Sequence, residues 1–370
     1  MVDELSMLVT DARQRTLGLA GSLRDDELVV PCLAIVNPPL WELGHVAWFQ
    51  EKWVLCHAAR QAALRDDADA LYDSAAIPHD TRWNLPLPDR AETLAYLRDV
   101  EQRVLAVVAQ GAADRYFVQL SVFHEDMHFE AMAFARQTLG RAAPPLSISS
   151  PDGVAPVAED AQLAGGTFSL GARPDAPFVF DNEKWAHLVR LDPFAIARAP
   201  VSQARFAEFV EDGGYRRRGL WTDDGWRWRV AAGADRPAYW DRRGGGWHRR
   251  EFDRWIALEP QRPMTHVCWF EAGAWCRWAG RRLPTEAEWE TAADAFAWGD
   301  VWEWTASDFL PYPGFAPDPY REYSQPWFGS HKVLRGGSFA TPRRLLSKTF
   351  RNFYTPDRRD PWAGFRTCPA

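Results

Sequence analysis

Apolar residues recur three and four positions apart through most of the first 145 residues, the spacing that lines one face of a helix. It predicts helices over Glu4–Leu23, Leu40–Leu64, Arg90–Gly111 and Ala113–Leu139. The third shows the stripe most plainly, with Leu94, Leu97, Val100, Val104 and Val107 on one line. Turn chemistry fills the breaks: Pro31, then Asn37-Pro38-Pro39, then Pro78 to Asp89, which holds the three prolines Pro78, Pro86 and Pro88. Four such helices predict an antiparallel four-helix bundle over residues 1–145. Residues 146–163, rich in Pro, Ala and Ser and without a period, read as a linker.

From 164 to 370 the pattern changes. Segments become short and are interrupted by Gly, Pro and Trp, as in Gly165-Gly166-Thr167-Phe168, Gly225–Val230 and Val333–Phe339. Only two stretches read as helical. One is Ser202–Asp212; the other is Glu271–Ala279 with its continuation Thr285–Ala293, where Thr285 and Glu288 make a capping-box pattern. The expected fold class is therefore α+β in two domains, a helical bundle followed by a domain with little regular secondary structure. Such a domain has to be held by aromatic packing and side-chain hydrogen bonds. That accounts for most of the 20 tryptophans among 370 residues.

Lys and Arg number 43 against 50 Asp and Glu, a net charge of −7 with both signs mixed along the chain. A nucleic-acid or anionic-membrane surface needs a basic stripe, so neither partner is expected. No apolar run approaches the roughly 18 residues of a membrane span. The acidic start Met1-Val2-Asp3-Glu4-Leu5 is unlike a signal peptide. Five cysteines, Cys32, Cys56, Cys268, Cys276 and Cys368, lack metal-knuckle spacing. Together these point to reduced thiols in a cytoplasm. Nothing in the composition signals an oligomeric state.

The densest chemistry is Phe123-His124-Glu125-Asp126-Met127-His128-Phe129-Glu130, inside the fourth predicted helix. His124 and His128 leave the same helix face one turn apart and can share a metal. His45 lies in the second helix, within Trp41-Glu42-Leu43-Gly44-His45-Val46-Ala47-Trp48. A histidine on the core stripe of one helix and a pair on another can meet inside a bundle. Three neutral imidazoles leave metal positions open, the pattern of a catalytic rather than a closed structural site. The same letters also spell H-E-x-x-H, the zinc-hydrolase signature with Glu125 as general base. A zinc protease draws its third ligand from downstream, where Glu130 is too close to reach back, and His45 is the better third ligand. The remaining histidines, His57, His79, His187, His248, His266 and His331, read as structural or surface residues.

A bundle with His45 followed by a His-x3-His-x-Glu helix resembles the DinB-like domain of the ergothioneine-type sulfoxide synthases. The second half resembles their partner domain, which is similar to formylglycine-generating enzymes and has a C-type-lectin-like fold. The matching segments are Ala164–Gly171, Arg281–Glu290, Val301-Trp302-Glu303-Trp304, Leu334-Arg335-Gly336-Gly337-Ser338-Phe339 and Gly364-Phe365-Arg366. Both halves match in order, over nearly the whole chain, and the resemblance implies that residues 164–370 complete the active-site cleft. The resemblance implies an Fe(2+)- and O2-dependent enzyme that joins sulfur or selenium to the imidazole carbon of hercynine, Nα-trimethylhistidine. It implies His45, His124 and His128 as iron ligands. Tyr320 and Tyr323 match tyrosines near the iron, one of which supplies a proton. Asn352 and Phe353 match the hercynine-binding segment, and Arg82 and Arg358 match arginines that hold the carboxylates of the chalcogen donor. A trimethylammonium group cannot donate hydrogen bonds and is best held by aromatic faces. Trp302, Trp304 and Phe353 are candidates.

Two departures from the family pattern bear on the donor. Met127 stands where a glutamine that touches the imidazole is usual, and Tyr354 stands where an aspartate binds the amino group of γ-glutamylcysteine. Losing that anchor removes a charge-assisted contact of about 1.5–3 kcal/mol. A neutral, hydroxyl-rich donor would not miss it. The chain is accordingly most similar to the selenoneine synthase branch, which uses a selenosugar; a sulfoxide synthase using cysteine or γ-glutamylcysteine is the alternative. The segment between Glu290 and Val301 is also shorter than the family pattern. Formylglycine formation is not expected, because no cysteine lies between Cys276 and Cys368. A non-enzymatic lectin-like module would leave the three histidines unused.

Overall fold

Asp89 and Asp114 each start a long helix by accepting a hydrogen bond from a first-turn amide, that of Glu92 and of Tyr116 respectively. The helices they start, Arg90–Ala109 and Arg115–Leu139, are α4 and α5 of the first domain. The others are α1 (Glu4–Gly21), α2 (Pro39–Gln50) and the short α3 (Ala68–Tyr72). Leu97, Val100, Val104 and Val107 form the buried side of α4, as their spacing requires. Gly140, in the left-handed region at φ 65°, ends α5. The second expected helix differs at its end. After Gln50 it passes into a π-helical stretch, Glu51–Ala58, and residues 59–64 are not helical.

The structure, a computed structural model, describes residues 4–144 and 159–370, and the chain divides into two compact units, Met1–Ile148 and Ser149–Ala370. Most of the expected linker, 146–163, lies outside the described residues. Its last four residues, Asp160–Leu163, are strand β1, because Ala161 is buried against Ile196 and Asp160 pairs with Arg281.

The second unit is made of small sheets and short helices. Strand β2 (Gly166–Leu170) pairs with β3 (His187–Leu191), and β1 pairs with β4 (Phe194–Ala197). Helix α6 (Gln203–Glu211) follows, capped by Ser202. Helix α7 (Asp223–Ala231) falls where a short broken segment was expected. The alternation Trp226-Arg227-Trp228-Arg229-Val230 has the period of a strand, but the Thr222 hydroxyl caps the Gly225 amide and the chain coils. Strands β5 (Trp240–Arg243), β6 (Gly246–Glu251) and β7 (Arg254–Ala257) form a meander, and α8 (Trp269–Trp278) lies beyond it. Then come β8 (Arg281–Arg282) and α9 (Glu286–Ala292), which begins with the expected Thr285–Glu288 capping box. The largest sheet has the order β11 (Asn352–Tyr354), β10 (Lys332–Gly336), β9 (Trp302–Asp308), β12 (Ala363–Gly364). A final strand, β13 (Cys368–Pro369), pairs with β8.

Buried ion pairs explain the motifs of this half. Arg335 and Arg351, both fully buried, converge on Glu286 of α9 at 2.9 Å. Arg366 grips Glu303, which also accepts from the Trp289 indole at 2.8 Å. Each of these three buried arginines has a carboxylate partner, as burial demands. Indole N–H groups do similar work against backbone carbonyls: Trp269 to Thr305, Trp275 to Arg205 and Trp304 to Val267. All five cysteines are free, and no helix among the described residues is long and apolar enough to cross a membrane.

Candidate active site

His45 sits midway along α2, while His124 and His128 are one turn apart on α5; the two helices pack against each other inside the first unit. Their ligand atoms all lie within 4.8 Å of one another. His45 and His124 are buried, at 2% and 4% exposure.

Each ring is oriented by its surroundings. His45 Nδ1 lies 2.8 Å from the Tyr72 carbonyl, which can only accept, so Nδ1 carries the proton and Nε2 the lone pair. His128 Nδ1 lies 2.5 Å from the Glu42 carboxylate, again leaving Nε2 as the lone-pair nitrogen. His124 stacks on Phe49, with centroids 3.6 Å apart and planes 6° apart. The His45 ring lies against Trp41 at 4.7 Å and Trp48 at 5.3 Å. Burial, and next the charge His128 can carry, pushes His45 and His124 well below the usual histidine range. Both are neutral at neutral pH, the form that binds a metal.

Gly44 makes the Tyr72 contact possible. A Cβ there would lie 2.2 Å from the Tyr72 ring, so only glycine lets α3 close over α2 and bring its last carbonyl to His45. Neither Tyr72 nor Glu42 was anticipated. Glu42 did carry a signal, as a carboxylate set in the apolar run Trp41-Glu42-Leu43-Gly44.

These residues fit a metal. His128 Nε2 and His124 Nε2 are 3.1 Å apart. Two nitrogens each about 2.1 Å from a shared ion stand roughly 3.0 Å apart at a right angle and roughly 3.4 Å at a tetrahedral angle. Imidazoles whose other nitrogen is held by a carbonyl or carboxylate are the usual outer-shell arrangement of a metal site.

Glu125 is not part of this cluster. Its side chain leaves α5 about 100° from that of His124, and its two oxygens take Nε and Nη2 of Arg13 from α1 at 2.9 and 3.1 Å. The same arginine donates to Gln50 and to the Leu97 carbonyl, all buried. A carboxylate bound on both oxygens cannot serve as a general base, which removes the zinc-hydrolase reading. Met127 lies on α5, partly buried, immediately before His128.

Arg82 is buried over the Trp41 ring at 3.9 Å, and its terminal nitrogens reach Asn37 Oδ1 at 2.8 Å and the Ser74 and Ile77 carbonyls at 3.4 Å. Its fork is already engaged within the bundle.

In the second unit the structure brings several expected substrate residues together. Tyr320 and Tyr323 have ring centroids 6.1 Å apart, and Tyr323 meets Phe353 edge-on at 5.8 Å. Phe353 stacks on Phe309 at 4.1 Å, and Asn352 and Tyr354 flank it on β11. Burial, followed by the charges of Glu183 and Asp181, pushes the Tyr323 phenol well up, so it keeps its proton at neutral pH. Arg358 forms a bidentate pair with Asp360 at 2.6 and 2.5 Å and lies 5.0 Å from the Tyr354 ring. Trp302 and Trp304 are core residues, at 3% and 0% exposure, and present no face to a ligand. Of the three aromatics expected to hold a trimethylammonium group, only Phe353 is partly exposed. His331, expected as structural or surface, also meets Phe353 edge-on at 5.8 Å.

Comparison with known proteins follows the same division. The model of the sulfatase-modifying factor enzyme 1-like domain matches residues 147–298 and 296–370, and that of the DinB superfamily matches residues 8–139. The second unit thus has the C-type-lectin-like fold of that family and the first is DinB-like. The hercynine oxygenase of Mycolicibacterium thermoresistibile is 35% identical, covering 98% of this chain and 94% of its own length. That of Mycobacterium tuberculosis is 33% identical and covers 98% of each chain. The formylglycine-generating enzyme of Streptomyces coelicolor is 31% identical, over 55% of this chain and 87% of its own.

Proposed function

The chain belongs to the hercynine oxygenase family, a DinB-like helical domain followed by a sulfatase-modifying-factor-like domain, and on that premise we propose that it joins selenium from a selenosugar to hercynine, using Fe(2+) and O2. It is an oxidative enzyme acting on hercynine. The observation that carries the proposal is the convergence of His45, His124 and His128 with outer partners that turn Nε2 of His45 and His128 to the lone-pair form. When bound there, iron(II) supplies the electron-transfer chemistry with dioxygen that side chains lack.

The chain's own residues do the rest. Trp41, Trp48 and Phe49 wall the imidazoles with apolar surface and exclude water. Asn352 and the Phe353 ring bind hercynine, the ring offering its face to a cation that cannot donate hydrogen bonds. Tyr323, or its neighbour Tyr320, holds a proton on its phenol oxygen for delivery during bond formation. In balance, the imidazole C–H and the Se–H bonds break and a C–Se bond forms. Dioxygen takes four electrons, with one oxygen going to selenium and one to water. Selenoneine is the eventual product once the oxidised adduct loses its sugar to leave a selenenic acid, which a thiol reductant then reduces by two electrons with release of water.

The choice of donor rests on charge. An amino-acid thiol needs partners for its ammonium and carboxylate groups. Tyr354 supplies no charge, Met127 supplies none, and Arg358 is neutralised by Asp360. A neutral sugar needs none of these. The test is aerobic incubation with iron(II), hercynine and a 1-seleno-sugar, followed by mass spectrometry. A hercynine–selenium adduct is the expected product, and hercynine left unconsumed in the presence of metal and oxygen would overturn the reading. A sulfur adduct formed equally well from γ-glutamylcysteine would make the chain an ergothioneine-type sulfoxide synthase.

A further inference from the structure

Trp327 is 41% exposed. Its indole N–H is already used, donating to the Glu322 carbonyl at 3.2 Å, so what it offers outward is the ring itself. The His331 ring stands edge-on to it at 5.3 Å. Between them runs a relay that fixes the histidine. The Ser330 hydroxyl donates to the Trp327 carbonyl at 3.0 Å and lies 2.8 Å from His331 Nδ1. With its hydrogen committed, that oxygen accepts from Nδ1–H, and Nε2 is left as an acceptor. Burial and the nearby Arg358 charge lower the His331 pKa, so the imidazole stays neutral. Of the charged groups acting on His331, Arg358 is paired with Asp360, while Asp357 accepts from the Thr355 hydroxyl.

We infer that Trp327, Ser330 and His331 form a subsite for a neutral, polyhydroxylated ring, with the indole under the apolar face of the sugar and His331 Nε2 accepting from one of its hydroxyls. An apolar platform beside a fixed, neutral imidazole acceptor suits a ligand that is itself uncharged and amphipathic. The relay from the Trp327 carbonyl through Ser330 sets the polarity of His331, which then distinguishes a hydroxyl donor from an acceptor. Phe353 contacts the same histidine, so the subsite borders the segment assigned to hercynine. The inference deepens the proposed function and rests on its reading of a sugar-borne donor.

The experiment separates the two claims. Saturation-transfer NMR with methyl β-glucoside and methyl N-acetyl-β-glucosaminide, which carry no selenium, reads the subsite without turnover. Wild type is expected to bind one of them, Trp327→Ala and His331→Ala to weaken it at least tenfold, and Trp327→Tyr to retain most of it. Hercynine affinity should stay within twofold in the two Trp327 variants, and thermal unfolding reports that the fold is intact in all three. No saturation transfer to either glycoside, or equal binding by wild type and Trp327→Ala, overturns the subsite. Turnover of a 1-seleno-sugar with an unchanged KM in both alanine variants overturns it too. Glycoside binding with the expected losses, but no selenium transfer to hercynine, would leave the subsite standing and remove the proposed donor chemistry.

Discussion

Replacing Glu42 tests whether the geometry around the imidazoles is built to hold a metal. The carboxylate is 2.5 Å from His128 Nδ1 and nearly inaccessible to solvent, while the His128 side chain keeps 20% of its surface exposed. Outer-shell partners of this kind are worth about 10–100-fold in metal affinity, roughly 1.4–2.7 kcal/mol. Glu42→Gln keeps an acceptor of the same shape and loses only the charge, so its loss should sit near tenfold. Glu42→Ala frees the imidazole to turn and should approach 100-fold, with water at the exposed edge of His128 limiting the damage. The assay is anaerobic competition for iron(II) against a chromogenic chelator, with thermal unfolding of each metal-free variant as the control for folding. If Glu42→Ala binds iron within twofold of wild type, aromatic packing alone orients the ring, and the role assigned to the carboxylate is wrong.

Three further outcomes are expected. Tyr320→Phe or Tyr323→Phe should lower kcat and kcat/KM together while hercynine affinity is unchanged, because a proton delivered only during bond formation is lost only from the transition state; stopped-turnover rates equal to wild type in both variants would contradict this. Tyr354→Asp should shift turnover from a selenosugar towards γ-glutamylcysteine, by restoring a partner for the ammonium group worth about 1.5–3 kcal/mol; an unchanged ratio of C–Se to C–S products would count against it. The pH dependence of stability has a definite sign: burial raises Asp181 to about 6 and Glu183 to about 7, so the folded state holds protons the unfolded chain releases. Their contribution therefore falls as pH rises from about 4 through 7, by about 3 kcal/mol for Asp181 and about 3–4 kcal/mol for Glu183. Denaturant midpoints at pH 5 and pH 8 should fall further for wild type than for Asp181→Asn/Glu183→Gln, and parallel profiles would refute the assignment.

What the sequence made legible follows from range. The α4 stripe and the His124–His128 pair depend on residues within two turns of one helix, where spacing fixes geometry. His45 was legible because a histidine amid apolar neighbours has few other uses in a bundle. Tyr72 and Glu42 were not, since their value comes from contacts 27 and 86 positions away. Glu125 allowed a second, disfavoured reading for the same reason: its motif is local, but its partner Arg13 is 112 positions away. Helix α7 was hidden by an alternating Trp-Arg pattern whose period matched a strand, with only the Thr222 cap to mark it. The Trp302 and Trp304 expectation failed because a tryptophan count cannot separate core from surface. Arg358 and Asp360, two positions apart, were open to being read as a pair from the outset.

The central claim is tested most directly by competition. The iron(II)-loaded protein is given hercynine and oxygen with a 1-seleno-sugar and γ-glutamylcysteine in equal amounts, and the products are resolved by mass. The prediction is that hercynine is consumed with selenium on its imidazole carbon and that the sulfur adduct is a minor species. A product mixture dominated by the sulfur adduct, or hercynine left intact beside both donors, would contradict it.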